Sequence, residues 1–290
     1  MNTYKTLSSL VIASCFTLSA LAQTTTATTQ TVIKAEEDFN KLVSRKGIKD
    51  AFLTVADPEG IVFKPEAVNI TDFYSKIDKQ PGTLTWHTKF ARTSASGDLA
   101  VTAGPYVYQN GKTDEDKVFG DCVSVWRMST DNKLKLLINL GIQHPENEKE
   151  ELTDIKEPQP VHAAPSKDPF NGKNVIMNTD KLFNTTLQKS TLAAYKIFFE
   201  PEAHYLFPGF NPMVGQDQTL HFLESQAVTI SAQTVNAGRS SSGDLAYSYG
   251  RARIKKGAIV SNYNYVRIWE IDAKHQWNVL LEVFSAIEAE

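Results

Sequence analysis

The sequence predicts an α+β protein of two tandem domains, each with about three N-terminal helices packed in a curved four-stranded antiparallel sheet. Three ordered blocks carry this reading. Ser96-Gly97-Asp98-Leu99-Ala100 recurs as Ser242-Gly243-Asp244-Leu245-Ala246, an offset of 243 − 97 = 146. Ser124-Val125-Trp126 returns as Arg267-Ile268-Trp269 at 269 − 126 = 143, and Gly47-Ile48-Lys49-Asp50-Ala51-Phe52 as Ser190-Thr191-Leu192-Ala193-Ala194-Tyr195, again at 143. A period this long repeats a whole domain, since solenoid units are far shorter.

Within each copy the hydrophobic period switches once. Val32, Ala35, Phe39, Leu42 and Val43 fall at helical spacing. Ile48, Ala51, Phe52 and Val55 begin a second helix after Gly47, and Ile70, Phe73, Tyr74 and Ile77 a short third. Strands follow near 84–94, 98–109, 117–129 and 134–143, parted by Ser-Gly-Asp, Gln-Asn-Gly and Asp-Asn turns. The second copy predicts helices near 175–188, 190–199 and 216–224, then strands near 226–237, 244–255, 259–271 and 276–287. The domains are therefore set at 32–144 and 174–290. Between them, 145–173 carries the acidic run 146–151 and several prolines, the composition of a solvated linker.

The amino end is read as a signal peptide over 1–22. Lys5 precedes the apolar stretch Leu7–Leu21, too short for a stable bilayer span, and Ala20-Leu21-Ala22 suits peptidase cleavage. The alternative is a lipoprotein box at Ile12-Ala13-Ser14-Cys15, with the chain anchored through Cys15. Either reading exports the protein, to the periplasm or beyond. Residues 23–31, nearly all Thr, Ala and Gln, read as a flexible leader.

Composition bounds the function classes. With 22% charged residues and a net charge of −3, no clustered Lys and Arg mark a nucleic-acid partner, and no later stretch is apolar enough for a membrane span. Once Cys15 is removed Cys122 is the remaining thiol, so no internal disulfide is expected and the cores must hold the fold. Within the alternating run GDCVSVWRM, Cys122 reads as a small buried hydrophobe.

Helices followed by an antiparallel meander require the sheet to wrap the helices, which alone can cover its apolar face. Gly-Asp-Leu-Ala before an aromatic strand, a strand ending in Val-x-x-Trp, and a last strand with Trp277-Asn278-Val279-Leu280-Leu281 resemble the SnoaL-like branch of the nuclear transport factor 2-like superfamily. Phe207-Pro208-Gly209 and Val214-Gly215-Gln216-Asp217 resemble the loop between that family's second and third helices. The resemblance implies tandem cone-shaped domains, each with a pocket at its open end, in a family of isomerases, cyclases, dehydratases and members of no known activity. The fold alone does not choose among them. The first copy lacks the glycine loop and has Leu134 where the second has Trp277, so it reads as the more degenerate cone.

Chemistry in such a cone needs an acid, base or cation inside an apolar pocket. Alternation places Tyr247, Tyr249, Arg251 and Arg253 on one side of their strand, and Tyr263, Tyr265, Arg267 and Trp269 on one side of the next. Read as one surface, Tyr249, Arg251, Tyr265, Arg267 and Trp269 stack an organic ligand and hold an anionic group. The other reading is a solvent-facing surface, or the face on which the two cones pack back to back, as dimers of this superfamily do. His204 follows the second helix of copy two and is the candidate catalytic base, with Glu200 or Glu202 orienting it; its alternative is a solvated loop residue. His221 and Glu224 lack a third ligand, so no metal is expected. No cofactor motif is found.

The function expected is an exported protein binding a small organic ligand, its two cones packed as an intramolecular pseudo-dimer. Two alternatives stand beside it: a small-molecule isomerase, cyclase or dehydratase using His204, and an interaction module presenting Tyr249 and Tyr263.

Overall fold

A computed structural model describes residues 26–147, 153–158 and 169–287. The first unit runs α1 (Thr29–Lys46), α2 (Ile48–Val55), β1 (Ala56–Phe63), β2 (Ala67–Asn69), α3 (Ile70–Lys76), β3 (Thr83–Trp86), β4 (Phe90–Thr93), β5 (Leu99–Gln109), β6 (Lys117–Met128), β7 (Leu134–Gln143) and β8 (Asp154–Ile155). The second runs α4 (Pro169–Lys189), α5 (Thr191–Phe198), β9 (Phe199–Leu206), β10 (Met213–Val214), α6 (Gln216–Gln226), β11 (Val228–Arg239), β12 (Leu245–Lys256), β13 (Ile259–Ile271) and β14 (Trp277–Ala286). The α+β class and the two-unit order agree with the expectation. Among the described residues no helix is long and apolar enough to cross a membrane.

Local chemistry sets the helix ends. Thr28 caps α1 through a bond from Thr31 N, and Gly47, at φ 84°, stops it by returning its N–H to Val43 O. Ser190 does the same work in the second unit, accepting from Ala193 N ahead of α5. The apolar stripe of α1, Val32, Phe39 and Val43, then packs on Trp86, Ala100, Trp126 and Leu136 of the sheet. Each such side chain taken fully out of water contributes roughly 1.5–3 kcal/mol.

Both sheets are larger than the four strands expected. They run β2-β1-β7-β6-β5-β4-β8, with β3 also on β5, and β10-β9-β14-β13-β12-β11. The strands missed from sequence are chiefly β1 and β9, which lie parallel to β7 and β14. Each of these strands carries a proline, Pro58 in β1 and Pro201 in β9. In the structure each proline sits where the register shifts and no ladder bond is required of it.

Two sequence boundaries are corrected. The expected signal peptide, Cys15 included, lies outside the described residues. The leader, expected flexible to residue 31, is packed at its end: Ala27 is buried, its N–H bonds Gly97 O, and Thr29 already opens α1. The linker also holds structure, because β8 pairs with β4 and Arg92 bonds Asp154 at 2.8 Å.

The backs of the two sheets pack together. Val101, Val123, Val125 and Leu140 meet Leu206, Val266, Ile268, Leu281 and Val283 in one buried cluster. Phe63 crosses to Tyr249 edge to face at 6.1 Å.

Candidate functional site

A cavity lies in the first unit, between its helices and the inner face of its sheet. About 330 Å³, open on one side, is lined by Phe39 of α1, Ile48 and Phe52 of α2, Tyr74 of α3, and Val62, Leu84, Trp86, Tyr106, Cys122, Asn139 and Gly141 of the strands, with Lys64 following β1. That is the size of a small-ligand site, and its walls are mostly apolar, with aromatic rings prominent among them. Strand alternation fixes the floor, since Cys122 stands opposite Gly141 and Ser124 opposite Asn139, all four turned inward.

This corrects the view that the first copy is the degenerate cone. At an offset of 143, Cys122 and Gly141 become Tyr265 and Phe284, while Ser124 and Asn139 become Arg267 and Glu282. The second sheet pairs them identically, Tyr265 with Phe284 and Arg267 with Glu282. All four larger side chains are fully buried, so they occupy the volume that stays open in the first unit. Val62 likewise becomes Tyr205, and Lys64 becomes Phe207, which packs on Tyr205, Tyr263 and Phe284.

The second interior is closed by a charge network. Arg267 donates from Nε to Glu282 (2.6 Å) and from Nη1 to Asp180 (2.7 Å) and Asn184 (2.7 Å). Tyr195 donates to Glu282, and Tyr265 and Ser248 to Asp180. Burial alone would lower the arginine's pKa; Glu282 and Asp180 more than reverse this and hold it charged. In the first unit Glu36 takes the place of Asp180, at 180 − 36 = 144, as Phe39 does of Phe183. It has no arginine; Trp86 and Trp126 donate from Nε1 at 2.7 Å each, and Thr102 through its hydroxyl. Both carboxylates are therefore saturated structural acceptors.

The expected ligand face does not exist as one surface. Tyr249 pairs with Val266 and Gly250 with Tyr265, so odd positions on β12 share a face with even positions on β13. Tyr265, Arg267 and Trp269 consequently lie inside the second unit, fully buried. Tyr249 faces the first unit, and Arg251, largely exposed, pairs with Glu66 at 2.7 Å. Tyr263 packs on the second unit's core while Tyr249 joins the cluster between the sheets, so the two form no shared docking patch.

His204 is also relocated. It is a residue of β9 whose ring lies 4.9 Å from Phe90 of the first unit, and its Nε2 donates to Asp154 Oδ2 at 3.2 Å. Tyr205, beside it, points into the second core; alternation sends His204 to the opposite face. Its role is to join the units. Among the described residues no group of three or more His, Cys, Asp or Glu could hold a metal.

Sequence reasoning missed the cavity residues, although a comparison of the two copies position by position carries the signal. Large residues of the second become Cys122, Gly141 and Ser124 in the first.

No family model and no curated protein matches the chain. Solved structures do. A ketosteroid isomerase-like protein from Erwinia carotovora atroseptica is 15% identical, with a TM-score of 0.37, over 41% of this chain and 100% of its own. A nuclear transport factor 2-like protein from Cytophaga hutchinsonii is 14% identical, TM-score 0.34, over 39% and 96%. An LEH-like epoxide hydrolase from M. tuberculosis is 14% identical, TM-score 0.32, over 39% and 78%. Likeness at this level says nothing of chemistry.

Proposed function

We propose that this is an exported protein that binds a small, largely apolar organic ligand in the cavity of its first unit, the filled second unit completing an intramolecular pseudo-dimer that braces it. Export is supported by Lys5 and the apolar stretch Leu7–Leu21. Binding is supported by one observation above all: where the second unit has Tyr265 and Phe284, the first has Cys122 and Gly141, and the space so released is walled by aromatic rings.

Holding fits the site better than conversion. Among the described residues no Asp, Glu or His lines the cavity. Burial pushes the Tyr74, Tyr106 and Cys122 pKa values up, so these groups keep their protons at neutral pH.

The test is Gly141→Phe. A Cβ there meets nothing closer than Tyr106 at 3.5 Å, so a side chain can start at this position without displacing backbone. Native mass spectrometry of the mature protein should show a co-purifying small molecule that the variant loses while its thermal unfolding is unchanged. Equal ligand occupancy in both would sink the reading.

A further inference from the structure

Lys64 is the one charged side chain among the residues lining the cavity, and no carboxylate lies within 4.0 Å of its ammonium among the described residues. The nearest candidate in sequence, Glu66, is already taken: Arg251 of the second unit bonds it at 2.7 Å. The same unit holds the rest of this short loop. Asn264 Nδ2 donates to Pro65 O at 2.6 Å, and Tyr249 packs on Phe63. Lys64 N–H returns to Glu66 O, closing the turn.

An unpaired cation over aromatic walls is a receptor for charge of the opposite sign. Lys64 itself is exposed, so its ammonium stands at the open rim of the cavity, and the protein packed around its stem lowers its pKa. At the equivalent position the second unit has Phe207, partly buried against Tyr263 and Phe284, where the first unit has Lys64 on the cavity lining.

We propose that the ligand is an aromatic carboxylic acid whose rings lie against the cavity wall that Phe52, Tyr74 and Trp86 help to form and whose carboxylate pairs with Lys64, the second unit acting through Arg251 and Asn264 to keep Glu66 away from that lysine. This rests on the cavity being a binding site and names what the site selects. Gln80 and Gln143, also on the wall, supply amide donors for the second carboxylate oxygen.

The mature full chain is titrated with 2-naphthoate and with its neutral counterpart 2-naphthamide, by calorimetry, in wild type, Lys64→Met, Lys64→Arg and Gly141→Phe. Wild type should bind the acid about tenfold more tightly than the amide. Lys64→Met should lose that preference while keeping its affinity for the amide, and Lys64→Arg should retain it. Acid and amide binding alike, with both lost in Gly141→Phe, overturns the proposal and leaves the cavity as a binding site. Binding of neither by wild type at millimolar concentration overturns both.

Discussion

Ser96 and Ser242 meet across the two units with their hydroxyl oxygens 2.8 Å apart, and the backbone N–H of each donates to the hydroxyl of the other at 3.1 Å. The contact is reciprocal. Asp244 accepts from Ala95 N, and Asp98 from Ser241 N at 2.9 Å and from the Ser241 hydroxyl. Residue i touching j while j touches i is the mark of an isologous two-fold interface, here between halves of one chain. The most conspicuous motif of the repeat is thus explained by contact between its copies: each Ser-Gly-Asp turn is built to bind the other.

Asp98→Ala should destabilise the protein by about 1–2 kcal/mol, because charge-assisted bonds to the facing turn are lost and their donors are left bare. Urea unfolding measures it. Asp244→Ala should match it closely, and unequal losses would argue against a two-fold clasp.

Arg267→Leu should be far more damaging, about 3–5 kcal/mol, since it leaves Asp180 and Glu282 buried without their cation. Ligand affinity measured on whatever remains folded should be unchanged, as this network belongs to the other unit. Loss of binding in the folded fraction would make the network part of the site.

Asp154→Asn should cost about 3 kcal/mol through Arg92, which is nearly buried and loses its charged partner. Burial alone would raise the Asp154 pKa, but bonds from His204 and Arg92 hold it well below the ordinary carboxylate range. A depressed folded value means this stability is present above pH 3.8 and is lost as the pH falls further. The variant should therefore unfold with less acid dependence than wild type below pH 4. His204→Ala should weaken the same junction and spare ligand binding, which calorimetry on the folded variant checks.

Glu200 gives a pH effect of opposite sign. Burial, and then the neighbouring Glu270, raise its pKa from 4.5 to about 7. A raised folded value means the protonated form is favoured by folding, so stability falls as pH climbs from 4.5 to 7. Glu200→Gln should add about 1 kcal/mol at pH 8, after allowance for solvent screening, and nothing at pH 4. Melting curves at the two pH values decide it.

Much of the fold was legible in the chain because helix and strand periods are local properties. α2, β6 and β7 fall within a residue or two of their expected bounds, and the duplicated blocks revealed two units. The site was not legible, for a reason visible at one pair. Tyr249 and Tyr265 both sit at alternating positions of neighbouring strands, yet Tyr249 pairs with Val266, and that register sends them to opposite faces. Nothing within either strand states which residue of the other it will face.

The number of units, their order of helices and strands, and the alternation along each strand follow from backbone period and turn chemistry, which act between near neighbours in the chain. Long-range packing set which face turns inward, that Ser96 finds Ser242, that Arg251 engages Glu66, and that Cys122 and Gly141 stand side by side. Those facts depend on register and on contacts between distant segments. Volume left unfilled is a property of several side chains at once, and no single position carries it.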